Sequence, residues 1–236
     1  MKKLLKSYLG ELTWARLAQA KIEFNLRNKK IHMDLALSLS LSDLLNSKTG
    51  YYVDVGAHDG RSFSNTYHLE HRGWQGILIE PVPMTYFKLK EIRDAQKNIF
   101  VNAACVASSY SSDKVEILYG DLMSIAPAIS DIDPEHWLEG ARKYMQRNEE
   151  QIKFWVPAKT LTDILKSSNA PRQIDFLSID VEGSENEVLR GCDLSIYRFK
   201  TICIESFNPK KIIRYLENYN YDLQGTIENN LIFRYR

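Results

Sequence analysis

The sequence has few cysteines, no excess of charge and no long apolar run, and each shortage excludes a class of protein. Cys105, Cys192 and Cys203 are 87 and 11 residues apart, which fits neither a zinc motif nor a disulfide framework. Cys105 and Cys203 lie within apolar runs, so we expect them to be buried free thiols in a reducing, cytoplasmic compartment. A net charge of +1 gives no reason to expect a nucleic-acid partner. No apolar stretch reaches the roughly 18–20 residues that cross a bilayer, so no transmembrane segment is predicted.

The pattern predicts an N-terminal helical segment at 1–48, followed by an α/β domain at 49–236. The first fifty residues hold nine Lys and Arg against four acids, so a basic, helical N-terminus is expected. Beyond it, nearly continuous apolar runs alternate with helical spacing, as in a mostly parallel sheet with helices on both faces. Strands are predicted at 51–55, 76–80, 98–106, 174–181 and 201–206, helices at 62–72, 83–94, 160–168, 184–190 and 209–218, and a final antiparallel hairpin within 221–235.

Residues 120–157 interrupt this alternation. They contain three prolines, two tryptophans and a charged helical stretch, and they separate two predicted strands. An insertion of this length beside a binding site is often a lid or a substrate wall. A peripheral decoration without a role in binding is the alternative.

The first predicted strand runs into an unusual glycine turn, from Asp54 through Gly56 and His58 to Gly60. A dinucleotide-binding turn has the pattern G-x-G-x-x-G, and here His58 stands where its second glycine would be. Asp54 would repel a pyrophosphate, but it suits a cationic ligand such as the sulfonium and amino groups of S-adenosylmethionine. The turn therefore favours a methyl donor over NAD.

Two further strand ends are predicted to meet this turn. Glu80 closes the second strand, where a carboxylate can accept hydrogen bonds from both hydroxyls of a ribose. Asn102 and Ala103 lie near the end of the third, where a small residue leaves room for an adenine ring. Asn102 would bind a base edge or hold a loop. His58 is predicted to cover the cofactor, with a role as a base as the weaker alternative.

The fourth strand ends in Asp180-Val181-Glu182-Gly183-Ser184, the predicted source of the chemistry. Asp180 and Glu182 are two apart and face the same way if the strand continues. Either can take a proton from a substrate hydroxyl, or both can hold a divalent cation. Alternatively, part of this acidic cluster serves the next helix, because Ser184 can cap it and Glu185 and Glu187 favour its first turn. At the end of the fifth strand, Glu205 and Asn208 would face the same crevice and suit a polyol, with a polar turn at the strand end as the alternative.

These motifs together resemble the FkbM-type methyltransferases. The resemblance lies in Val53–Gly60, Phe63–Thr66, Gly73–Pro81, Asn102–Ala104 and Ser178–Glu185. It covers about residues 50–235, without the N-terminal segment and the insertion, where we expect substrate choice to reside. It implies a class I methyltransferase, Rossmann-like, with seven strands, the last one antiparallel, and S-adenosylmethionine as cofactor. Many members of the family have Asn at the position of His58.

The predicted function is therefore an S-adenosylmethionine-dependent O-methyltransferase that acts on a small molecule or glycan, with a sugar hydroxyl as the leading acceptor. The predicted cofactor-binding residues are Asp54, Gly56, His58, Gly60, Glu80, Asn102, Ala103 and Asp180, and the predicted catalytic residues are Asp180 and Glu182. A non-catalytic adaptor on the same fold is the first alternative, and an NAD-dependent oxidoreductase is the second. Assembly into a homo-oligomer is left open.

Overall fold

A computed structural model describes residue 47, residues 49–133, residue 137, residues 152–227 and residues 229–236. The strands are β1 Tyr51–Val55, β2 Gln75–Ile79, β3 Asn98–Val101, β4 Ala104–Cys105, β5 Lys114–Leu118, β6 Lys153–Lys159, β7 Gln173–Ile179, β8 Arg198–Glu205, β9 Tyr221–Ile227 and β10 Asn230–Tyr235. The helices are α1 Tyr67–His71, α2 Pro83–Ile92, α3 Leu161–Ser167, α4 Glu185–Arg190 and α5 Pro209–Glu217. The helices predicted before residue 47 and most of the charged stretch at 135–151 lie outside the described residues.

The main sheet has seven strands in the order β3-β2-β1-β7-β8-β10-β9. β1 pairs parallel with β2 and β7, β2 with β3, and β7 with β8, whereas β10 is antiparallel to β8 and β9. This confirms the predicted α/β class I methyltransferase fold with an antiparallel last strand. The order of the strands reverses at β1, so the ends of β1 and β7 border the crevice where such sheets bind ligands.

The apolar runs of the strands are buried between helices on the two faces of the sheet. On one face, Val53 and Val55 belong to a core that also contains residues of α3, α4 and α5. Because side chains alternate along a strand, Tyr52 and Asp54 point to the opposite face, where they meet residues around α1 and α2. Cys105 and Cys203 are buried and free, as predicted, and so is Cys192. Burial raises the pKa of each thiol. Among the described residues, no helix is long and apolar enough to cross a membrane.

The predicted strand at 98–106 is wrong as one element. β3 lies in the main sheet, but β4 turns away into a second sheet of order β4-β6-β5. The sequence-based prediction also missed β5 and β6. β6 crosses the predicted C-terminal end of the insertion at 157 and pairs antiparallel with β5. Pro157 within it is a residue that argues against a strand, but here it lies at the end of the pairing, opposite Lys114.

The helix predicted at 62–72 is shorter in the structure, where α1 begins at Tyr67. Phe63 has a φ of 56°, which no helical residue adopts. The Ser64 hydroxyl accepts the backbone N–H groups of Thr66 and Tyr67, at 3.2 and 3.1 Å. These local bonds replace the helical ones, so the chain from 62 to 66 forms a turn that lies beside the crevice.

Candidate functional site

A cavity that is open to solvent at its mouth lies at the carboxyl ends of β1, β2 and β7. Its walls come from the glycine turn, the 62–65 turn, the ends of β2 and β7, and the chain from 117 to 129. The start of the predicted insertion thus forms part of a cavity wall. Of the predicted site residues, the cavity brings together Asp54, Gly56, His58, Glu80, Ala103, Asp180 and Glu182.

The glycine turn is fixed against the neighbouring strands. The backbone N–H groups of Gly56 and Ala57 both donate to the carbonyl of Ile79, at 3.0 Å each. Gly56 has a φ of 84°, and a Cβ atom there would lie 1.7 Å from the carbonyl oxygen of Asp180. Only glycine permits this approach. This close approach places the glycine turn against Asp180, the first residue after β7.

Glu80 is buried at the end of β2, and both of its oxygens already accept a backbone N–H. Oε2 accepts from His58 at 2.9 Å, and Oε1 accepts from Val82 at 2.8 Å. Burial raises the pKa of Glu80 to about 7, although these two bonds and the nearby His58 act in the opposite direction. Each carboxylate oxygen retains a second lone pair, so the group can hold the turn and still accept two hydroxyl groups.

Asp54 is buried near the end of β1, before the glycine turn, and its carboxylate accepts a hydrogen bond from the Thr66 hydroxyl at 2.6 Å. Burial raises its pKa, while the Thr66 hydrogen bond and the charge of Arg93 act to lower it. The Asp54 side chain therefore lines the cavity while the Thr66 hydroxyl holds its carboxylate from behind.

His58 lies in the cavity wall between two carboxylates. Its Nδ1 is 3.7 Å from Asp59 and its Nε2 is 3.6 Å from Asp121, in the 3-10 turn Asp121–Met123. Burial acts to lower the pKa of His58, but the two aspartates outweigh it and raise the pKa to about 9. A ring that is protonated at neutral pH has no lone pair to act as a base, so this geometry favours the covering role over the basic one.

Two predicted cofactor residues, Gly60 and Asn102, are not among the residues that line the cavity. The Asn102 amide donates to the carbonyls of Glu80 and Pro81, at 2.8 and 3.0 Å, which is the loop-holding alternative. Gly60 packs behind the turn, where a Cβ would lie 2.4 Å from Leu89 Cδ1 and 2.7 Å from Arg93 Cγ.

Asp180 and Glu182 follow β7 in an acidic environment. The strand predicted to reach 181 ends at Ile179, so the alternation of a strand does not set the directions of the two side chains. Burial, then Glu205 and Glu182, raise the pKa of Asp180 well above its ordinary value. Burial, then Glu205 and Glu185, raise the pKa of Glu182 to about 7. Glu182 has a φ of 52°, and its carbonyl accepts the Ser130 hydroxyl at 3.1 Å. Within the described part of the chain, no three His, Cys, Asp or Glu side chains are grouped to hold a metal ion, so the predicted cation gains no support.

The structure contradicts the predicted helix-capping role of Ser184. It stands at the N-cap position of α4, but its side chain makes no capping hydrogen bond. Instead, Glu185 Oε1 accepts the Gly183 N–H at 2.7 Å. The Ser184 hydroxyl is buried, lines the cavity and has no hydrogen-bond partner among the described residues. It is therefore available to a ligand. A serine before a helix with acids in its first turn gave no signal of this role, because that is the usual pattern of a cap.

The buried acids give the ligand-free protein an unusual dependence on pH. Burial raises the pKa values of Glu80, Glu182 and Glu185 from 4.5 to about 7. Between these values the folded chain binds more protons than the unfolded chain, so the free energy of unfolding falls as pH rises. From pH 5 to 8 we expect a fall of at least about 1 kcal/mol.

Urea denaturation at pH 5 and pH 8 measures this dependence, and Glu182→Gln should reduce it. His58, with its raised pKa, changes stability in the same direction above pH 6.5 and does not cancel the fall. Stability that rises over the same interval would show that the three carboxyl groups are not protonated in the folded chain.

Comparison with known proteins identifies related sequences and folds. The family model described as the methyltransferase FkbM domain matches residues 54–223. The methyltransferase sdnD of Sordaria araneosa is 27% identical over 216 residues, which cover 83% of this chain and 79% of that protein.

Among solved structures, a precorrin-6y C5,15-methyltransferase from Geobacter metallireducens GS-15 is similar, with a TM-score of 0.44 and 10% identity, covering 84% of this chain and 86% of that one. The N-terminal domain of human METTL16, solved in complex with SAH, gives a TM-score of 0.42 and 9% identity, covering 87% of this chain and 69% of that one. The family match spans every predicted site residue from Asp54 to Glu182.

Proposed function

Because the chain belongs to the FkbM family of S-adenosylmethionine-dependent methyltransferases, we propose that it methylates a hydroxyl group of a small molecule or glycan, with a sugar as the leading acceptor. One observation carries the proposal. The buried Glu80 carboxylate lies at the end of β2 beside the glycine turn that follows β1, and Glu80 and the turn line the same cavity. This arrangement supports a ribose at Glu80 and the methionine part of the cofactor at Gly56 and Asp54.

The charge of the cavity supports a cationic donor. Its walls contain five acids, Asp54, Glu80, Asp121, Asp180 and Glu182, and none of the described residues that line it is Lys or Arg. His58, the protonated ring in the same wall, lies 3.6 Å from Asp121, so the acids remain in excess. A sulfonium and an ammonium group gain Coulomb energy in such a field, whereas a pyrophosphate loses it. The same argument disfavours an NAD-dependent oxidoreductase.

The proposed reaction is an in-line transfer. The acceptor oxygen forms a bond to the methyl carbon as the bond from carbon to sulfur breaks, and the products are the methyl ether and S-adenosylhomocysteine. The hydroxyl proton passes to Asp180 or Glu182. Burial and neighbouring acids raise the pKa of both groups, which makes each carboxylate a stronger base. The unpartnered Ser184 hydroxyl in the same wall is available to orient a polar acceptor. Positioning of oxygen, methyl and sulfur supplies much of the remaining rate.

Calorimetric titration of the wild-type chain tests this proposal directly. We expect saturable binding of S-adenosylmethionine and S-adenosylhomocysteine with micromolar dissociation constants, and no heat of binding with NAD, because its pyrophosphate would lie among five acids and, of the described lining residues, only one cationic group, His58. Transfer of a labelled methyl group to a panel of sugars then separates an enzyme from an adaptor. Binding of NAD, or the absence of binding by both methyl-donor ligands, would overturn the proposed function. Cofactor binding without transfer to any hydroxyl compound would favour the adaptor.

A further inference from the structure

Among the described residues, Arg93 is a deeply buried cation near the cavity. Its side chain does not line the cavity. It follows α2, and its side chain has no exposed surface. Its Nε donates to Glu70 at 2.7 Å, and its Nη2 donates to the phenol of Tyr52 at 2.6 Å. Asn98 also donates to Glu70 and accepts from Tyr52. Burial of a guanidinium is costly unless its donors are satisfied. Here all three nitrogen atoms of the Arg93 guanidinium donate hydrogen bonds.

The remaining donors of Arg93 lead to the glycine turn. Nη1 donates to the carbonyl of Gly60 at 2.9 Å, and Nη1 and Nη2 both approach the Thr66 hydroxyl, at 3.2 and 3.3 Å. That hydroxyl donates in turn to the Asp54 carboxylate at 2.6 Å. One side chain is thus bonded directly to one end of the turn and, through a single hydroxyl, to the other.

The packing at Gly60 supports the same role. Gly60 has a φ of 78°, and a Cβ there would overlap both Leu89 Cδ1 and Arg93 Cγ. The second glycine of the motif is therefore needed by the side chains beneath the turn and does not face the cavity. Lysine at 93 would keep the charge, but its single ammonium group cannot reproduce a planar fork directed at Glu70, Gly60 and Tyr52 together.

We propose that Arg93 is a positioning residue of the cofactor site, which fixes the Gly60 carbonyl at one end of the glycine turn and, through Thr66, the Asp54 carboxylate at the other. The inference rests on the proposed function only in taking the turn as the place of cofactor binding. Arg93 does not touch the cavity, so it acts on the ligand through the turn and through Asp54.

Binding of S-adenosylhomocysteine to four variants tests the role, with the melting temperature of each measured alongside. We expect Arg93→Lys and Thr66→Val to weaken binding by about tenfold or more, the effect of losing one hydrogen bond to a charged group. Thr66→Ser keeps the hydroxyl and should bind within about threefold of the wild type.

Tyr221→Phe is the matched control for stability. The Tyr221 phenol is buried and accepts the Phe199 N–H at 3.0 Å, at the β9 edge of the sheet. Its loss should lower the melting temperature yet leave the affinity within about twofold, since the site is distant.

Three results would count against the proposal. Wild-type affinity in both Arg93→Lys and Thr66→Val, with lowered melting temperatures, would reduce Arg93 to a purely structural residue. If Arg93→Lys does not fold, equal affinities of Thr66→Val and Thr66→Ser lead to the same conclusion. A wild-type chain that binds neither S-adenosylmethionine nor S-adenosylhomocysteine would instead refute the proposed function, and the inference with it.

Discussion

Glu80→Ala is expected to weaken binding of S-adenosylmethionine by about 100-fold or more. In the proposed complex the carboxylate accepts two ribose hydroxyls, and each hydrogen bond to a charged group contributes about 1.5–3 kcal/mol. Its removal also releases the His58 and Val82 N–H groups that its two oxygens hold. Glu80→Gln keeps the shape of the side chain but points an amide donor at one of those N–H groups. We expect its affinity to lie between those of the wild type and the alanine variant.

The matched control for Glu80 is Asp175→Asn. The Asp175 carboxylate also accepts a backbone N–H, that of Tyr51 at 2.9 Å. That bond joins the start of β1 to β7, away from the carboxyl ends that border the cavity. Titration calorimetry on all three variants, with circular dichroism to verify folding, measures the difference. Undiminished affinity in Glu80→Ala would remove the ribose assignment, and a matching loss in Asp175→Asn would ascribe the effect to stability.

The parts of this protein that the sequence predicts are those determined by local chemistry. β1 and β7 are apolar runs that end in Gly or acidic residues, and a strand of that kind can be buried only between two layers of helices. Asp54 is the last residue but one of β1, and Glu80 and Asp180 directly follow β2 and β7, so parallel topology brings the three acids to the same edge of the sheet. The final hairpin was predictable because its two strands are adjacent in the sequence.

The parts that escaped prediction depend on partners distant in the sequence. A lone arginine after a helix is the usual solvated residue that favours a helix C-terminus, and nothing local distinguishes Arg93 from it. Its partner Glu70 is 23 residues away. β5 and β6 pair across the insertion, with Lys114 opposite Pro157 and Leu118 opposite Lys153, so their pairing joins residues far apart in the sequence. The break after β3 depends on Asn102, whose amide bonds the carbonyl of Glu80, a contact that no pattern within 98–106 reveals.

The second large effect is expected for Asp180→Asn, which should lower the rate of methyl transfer by about 10²- to 10⁴-fold, the usual contribution of a general base. Asp180 follows β7 directly, and its carbonyl oxygen lies 1.7 Å from the place that a Cβ on Gly56 would occupy. Its backbone therefore adjoins the turn that is proposed to hold the methyl donor. Because its pKa is raised by burial and by Glu205, the wild-type rate should rise with pH as the carboxyl group ionises. This rise of the rate with pH should disappear in Asp180→Asn.

Glu182→Gln is the matched comparison, because Glu182 lines the same cavity and has a pKa raised to about 7 by burial and by two other acids. Its backbone carbonyl is held by Ser130, away from the β1 turn, so we expect the smaller loss of rate. Formation of S-adenosylhomocysteine with an acceptor that the wild type methylates measures both variants. Affinity for S-adenosylhomocysteine, which lacks the sulfonium charge, verifies that the site is intact. A rate for Asp180→Asn within about tenfold of the wild type would exclude it as the base, and a larger loss in Glu182→Gln would transfer that role to Glu182.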